Sequence, residues 1–155
     1  MIGLLQRVSS AQVCVAGTSI GDIGPGLLVL VCAERGDSTS SAERLLDKLL
    51  SYRVFADEAG KMNLSLKDTG GGLMLVPQFT LGADTNSGTR PGFSSVAAPD
   101  LARRLFEHLV EAAHAAHSPV ASGRFGESMR VTLVNEGPVT FWLRVTPGQG
   151  SSEKP

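Results

Sequence analysis

The chain has 155 residues and a formal charge of -1, with 14 Lys and Arg against 15 Asp and Glu. That length suits one domain around a single core, and the near-neutral balance excludes a general nucleic-acid coat, leaving any RNA contact to one face. No stretch approaches the ~18 uninterrupted apolar residues of a membrane span, and the start, MIGLLQRVSSAQV, lacks a basic segment followed by a long apolar one, so a cytoplasmic protein without a membrane partner is expected.

Ala11, Val13 and Val15 alternate as in a half-buried strand, and Gly17 follows as a turn. GLLVLVC, from Gly26, is apolar without alternation and reads as a strand covered on both faces. From Ser40 the period changes. Ala42, Leu45, Leu46, Leu49 and Leu50 form one helical stripe, with Ser40 and Glu43 placed as a capping box. YRVFADEAGKMNLSL resembles a hairpin turning through Asp57 to Gly60. The next strand, GGGLMLVPQFTL, is led in by glycines that read as a flexible connection. It is interrupted by Pro77, which cannot donate to a ladder. A long polar loop, GADTNSGTRPGFSS, precedes a second helix from Pro99 whose buried stripe includes Leu101, Leu105, Leu109 and Ala113. Val139 to Val145 alternates as a last strand, and Gly137–Pro138 before it fits a turn, a position where Gly also permits close approach. The class is α+β, a mixed, mostly antiparallel sheet with two packed helices. One domain over 1–146 and a disordered tail over 147–155 are expected.

Familiar chemistry is sparse. There is no GxSxG elbow, no GxxxxGK[ST] loop and no GxGxxG opening a helix. His114 and His117 are one helical turn apart without a third spaced ligand, so no metal site is expected, and most of the acidic residues fall where exposure is expected. Cys14 and Cys32 lie in apolar runs and read as small core residues. A catalytic group in such a chain would come largely from backbone or from the substrate.

Two segments carry more. PQFTL (77–81) and NEGPVT (135–140), together with QRV (6–8) and GRFG (123–126), resemble the D-aminoacyl-tRNA deacylase family in order and separation, over nearly the whole chain. The resemblance implies hydrolysis of the ester between a D-amino acid and the 3' end of tRNA by a homodimer, with no cofactor and no DNA partner. It implies that Gly137 and Pro138, as a cis pair held by Arg7, reach a neighbouring subunit's site and reject L-amino acids. It places catalysis at Gln78, Phe79 and Thr80.

The physics is consistent with that assignment. A filter serving many side chains must act at Cα, because apolar pockets discriminate by only about 1–3 kcal/mol per methylene. Backbone N–H groups at Gln78 and Phe79, freed where Pro77 ends the ladder, would stabilise the oxyanion, and the ribose 2'-OH would assist because no base is evident near Thr80. Glycyl-tRNA is then expected as a side substrate.

The family's usual first motif has Ser where this chain has Pro77. A related group of deacylases with Pro there carries a trans Gly-Pro pair and relaxed specificity, which is one alternative. A non-catalytic RNA-binding module is another, with Arg7, Lys48, Arg53, Lys61, Lys67, Arg90, Arg103, Arg104 and Arg124 as candidate phosphate contacts. A thiol hydrolase using Cys14 or Cys32 is a third.

Overall fold

A computed structural model describes residues 1–148. The elements in chain order are β1 (Ile2–Val15), β2 (Thr18–Ile23), β3 (Gly26–Cys32), α1 (Thr39–Ser51), β4 (Phe55–Ala56), β5 (Met62–Leu64), α2 (Leu66–Thr69), β6 (Gly72–Pro77), a 3-10 turn (Phe79–Gly82), α3 (Pro99–Ala116), β7 (Val120–Ser122) and β8 (Met129–Arg144). Of the expected tail, Pro147 and Gly148 form a turn, and 149–155 lie outside the described residues.

β1 organises the sheet. Along one edge it pairs antiparallel with β8 over nearly its full length. Along the other it pairs antiparallel with β3 through residues 2–8 and with β2 through residues 11–15. β6 continues the sheet parallel to β3, and β7 lies parallel to β6. The architecture is the expected α+β class. Beside the two long helices it holds the one-turn α2, which no periodic stripe announces.

Core formation follows from two faces. Leu5, Leu27, Val29, Leu73 and Leu75 pack with Leu45, Leu49, Leu105 and Leu109 of the two long helices. Val8, Ala11, Val13, Leu28, Met74 and Val76 form a second cluster on the other side. β3 thus buries both faces, as its unbroken apolar run requires. Val8 and Ala11 share a cluster despite opposite parity because the β1–β8 register shifts between Val8 and Ser10. That bulge re-aims the second half of β1.

Two expectations are corrected. The N-cap of α1 is Ser38, two residues before the expected Ser40, and the Ser38 N–H donates to Ser41 Oγ at 3.2 Å. Gly72 is a packing position, because a Cβ there would lie 2.8 Å from Ile23 Cβ. Two acidic residues are buried, Glu34 and Asp37. They receive the Met1 α-ammonium, which donates to Asp37 Oδ1 at 2.8 Å, Val145 O at 2.7 Å and Glu34 Oε2 at 3.3 Å. Arg144 completes this cluster, with two guanidinium nitrogens donating to Glu34 at 2.9 and 2.7 Å, and the paired carboxylate pushes the guanidinium pKa up.

Candidate active site

Pro77 ends β6 without ending its pairing. The Gln78 N–H donates to Val31 O at 2.7 Å, one step beyond the last paired residue. In a parallel ladder alternate residues address opposite neighbours, so the nitrogen of Pro77 faces the β7 side, where β7 has already stopped at Ser122. The expected free N–H at Gln78 is therefore absent.

The orphans lie one residue on. The chain turns into the 3-10 segment, whose first internal bond is Leu81 N–H to Gln78 O at 3.3 Å. Among the described residues, no acceptor meets the N–H of Phe79 or Thr80, as the first turn of such a helix dictates. The Gln78 side-chain amide donates to Thr80 Oγ1, so Gln78 remains in the cluster through its side chain.

Beside this turn opens a cleft of about 500 Å³, lined by Val76, Pro77, Gln78, Phe79, Phe125 and Met129 among others. Its walls are mostly apolar, and the Phe79 ring, 53% exposed, tilts against Phe93 with centroids 5.1 Å apart. Beneath the turn, the Cys32 thiol donates weakly to Phe79 O at 3.4 Å. Burial pushes that thiol's pKa up, and the Gly82 backbone only partly offsets it, so thiolate chemistry is disfavoured at Cys32. No group of three or more His, Cys, Asp or Glu among the described residues is placed to hold a metal ion. His108 contacts Glu43 at 3.0 Å, and His117 Nε2 lies 2.7 Å from Gly71 O.

Gly137 and Pro138 are elsewhere. β8 runs through them, but its register jumps from Val8–Asn135 to Gln6–Thr140, so residues 136–139 bulge opposite the single residue Arg7. The expected turn is this outward loop. The Gly137–Pro138 peptide is cis, and Gly137 has φ 141°, where a Cβ would sit 2.7 Å from Val139 Cγ2.

Arg7 grips the loop: Nε donates to Glu136 O at 3.0 Å and Nη1 to Val54 O at 2.6 Å. Asn135 closes its neck, accepting from Val139 N–H at 2.8 Å and donating to Thr140 Oγ1 at 3.0 Å and Val139 O at 3.2 Å. The role of Asn135 escapes motif reading, although its place inside NEGPVT was a signal.

Strand order separates the two clusters. Pro77, just before the turn, is level with Val31, which pairs with Gly3, while the loop is level with Arg7, and three strand spacings lie between β8 and β6. The separation is on the order of 20 Å within one chain.

The fold and the comparisons with known proteins define a hydrolase acting on ester bonds. The family described as D-Tyr-tRNA(Tyr) deacylase matches residues 4–144, and the chain belongs to that family. The chain is 61% identical over 147 residues to D-aminoacyl-tRNA deacylase of Janthinobacterium sp. (strain Marseille), covering 95% of this chain and 99% of that one. It is 63% identical over 147 residues to the D-aminoacyl-tRNA deacylase of Paracidovorax citrulli (strain AAC00-1), covering 95% of each.

Among solved structures, one described as c-Myc DNA unwinding element binding protein superposes with TM-score 0.89 at 33% identity, covering 94% of this chain and 99% of that one. A probable eukaryotic D-amino acid tRNA deacylase shares the fold with TM-score 0.80 at 18% identity, covering 92% and 97%. The activity is D-aminoacyl-tRNA deacylation.

Proposed function

We propose that the ester is cleaved at the 78–80 turn with backbone groups as the main catalytic donors. The observation that carries this reading is the pair of unpartnered N–H groups of Phe79 and Thr80 at the rim of an apolar cleft. The terminal nucleoside of tRNA occupies the cleft and presents its ester carbonyl to the two N–H groups. Water adds to the carbonyl carbon and negative charge gathers on the carbonyl oxygen. Each fixed donor aimed there is worth about 10²–10³ in rate. The bond to the ribose 3' oxygen then breaks, and that oxygen takes a proton relayed by the neighbouring 2'-OH. The products are the free D-amino acid and tRNA. Thr80 positions Gln78 and is not the nucleophile.

Chirality is judged by Gly137 and Pro138 of a second copy of the chain. Their backbone approaches Cα and occupies the space of an L side chain, while a D side chain points away. The ~20 Å between the loop and the turn within one chain supports a site shared across a homodimer, since neither cluster reaches the other alone. The edge strand β8 supplies a surface for it, with Val134 53% and Trp142 54% exposed. Glycyl-tRNA, which has no side chain at Cα, is hydrolysed as a side reaction. The place of action is the cytoplasm, where charged tRNA is used.

Release of D-Tyr and L-Tyr from charged tRNA by the purified protein tests the reading. Rapid release of D-Tyr with L-Tyr retained is expected, and equal rates for both would remove the filter.

A further inference from the structure

A second groove, of about 440 Å³, runs between α3 and residues 122–127, and Phe125 and Glu127 line both it and the cleft. The two therefore adjoin at these residues. At their junction the Arg103 guanidinium lies over the Phe125 ring, 5.0 Å from its centroid, and donates to Phe125 O at 3.4 Å. Neither contact neutralises its charge. Arg124, exposed on the opposite wall, contributes its backbone N–H to Met129 Sδ at 3.4 Å. Among the described residues neither arginine forms an ion pair, although Glu107, Glu111 and Glu127 line the same groove.

The charges are ordered along α3. Arg103 follows directly on Ala102, which lines the cleft, whereas Glu107 and Glu111 come one and two helical turns later, about 6 and 12 Å further along the axis. Positive charge stands at the cleft mouth and negative charge farther out. A guanidinium stacked on a ring is partly immobilised before any ligand arrives, and its remaining N–H groups form a fork suited to phosphate oxygens.

We propose, resting on the deacylase reading above, that Arg103 and Arg124 grip the phosphodiester groups of the single-stranded RNA end as it leaves the cleft. Glu107 and Glu111 repel the following phosphates and turn the strand away from the outer groove. Glu127 shares the junction and leaves it a single net positive charge. The site therefore orients the strand without binding nucleic acid indiscriminately.

The test measures binding of uncharged tRNA across a salt series, and separately hydrolysis of the D-tyrosyl ester of adenosine, which carries no phosphate. Arg103→Gln and Arg124→Gln should each weaken tRNA binding roughly tenfold and lower the salt slope by about one. Both should hydrolyse the nucleoside ester at the wild-type rate. Arg35→Gln removes the same charge from the exposed turn after β3, which lines neither groove, and should leave the slope in place. Unchanged slopes in both arginine variants overturn the proposal, and so does a parallel fall in nucleoside-ester hydrolysis, which would make the arginines supports of the cleft. If wild-type protein binds tRNA through these arginines yet cleaves neither ester, the catalytic reading falls and the phosphate grip stands.

Discussion

Asn135 meets Val139 with both ends of its side-chain amide, accepting from the Val139 N–H at 2.8 Å and donating to the Val139 carbonyl at 3.2 Å. The amide therefore stands in for a paired strand residue and pinches residues 136–138 into a loop. Arg7 holds the same loop from the β1 side through Glu136 O. Two independent contacts thus set where Gly137 and Pro138 stand, and a chirality filter acting by collision depends on that position.

Asn135→Asp keeps an acceptor for Val139 N–H and loses the donors to Val139 O and Thr140 Oγ1. With each net hydrogen bond worth about 1 kcal/mol, the ratio of D-Tyr to L-Tyr release should fall roughly tenfold in this variant, and further in Asn135→Ala. Turnover of the D ester should change less than the ratio. A uniform loss of both activities with the ratio intact would show that Asn135 serves folding alone.

The Thr80 hydroxyl touches the Gln78 amide, which is no base. Thr80→Ala should therefore retain most of its activity, whereas a substrate ending in 2'-deoxyadenosine should be cleaved poorly. A dead alanine variant with a normally cleaved deoxy substrate would make Thr80 the nucleophile.

Much of the fold was legible because the signals are local. Pro99 at the first turn and the Leu105, Leu109, Ala113 stripe define α3 without reference to the rest of the chain. The cap of α1 was misread because Ser38 and Ser40 are both competent caps, and only the packed helix selects between them. The site was legible as motifs and less so as geometry. Whether Gln78 N–H is free depends on β3 extending level with it, and the loop at 136–139 exists because β8 and β1 fall out of register at Arg7. Such facts are set by pairing between distant strands, which periodicity along one strand does not carry.

Burial and a raised pKa should leave Cys32 inert. Iodoacetamide at pH 8 should modify half-buried Cys14 at most in native protein and both cysteines after unfolding, with deacylation unaffected by the native treatment. Loss of activity in step with modification of Cys32 would revive a thiol mechanism.

Asp37 is 5% exposed and receives the Met1 ammonium, whose other acidic partner, Glu34, is shared with Arg144. Asp37→Ala should destabilise the fold by about 3 kcal/mol, because it strips a buried charge of its nearest counter-ion. For a domain of this size that corresponds to a melting temperature lower by roughly 6–12 °C. Because Met1, Gln78 and Phe79 line one small void, activity should fall before the melting transition is reached. A melting temperature within about 2 °C of wild type would show that Glu34 and Val145 O suffice.

The filter itself is tested by the smallest side chains. If Gly137 and Pro138 exclude L-amino acids by standing where the side chain would be, glycine meets no obstacle, and glycyl-tRNA should be hydrolysed at a rate nearer to D-alanyl-tRNA than to L-alanyl-tRNA. L-alanyl-tRNA should then resist, since a single methyl group would already collide with backbone that Arg7 and Asn135 hold in place. Selection by affinity for D side chains predicts the reverse order, with glycine the poorest substrate, because it would forgo about 0.8 kcal/mol for each methyl or methylene it lacks. Loosening the loop separates the two accounts further. Arg7→Met should raise L-alanyl hydrolysis while leaving glycyl hydrolysis nearly unchanged, because glycine never touched the barrier. An arginine variant that slows all three esters equally would place Arg7 outside the filter, and resistance of the glycyl ester in wild-type protein would remove the steric account altogether.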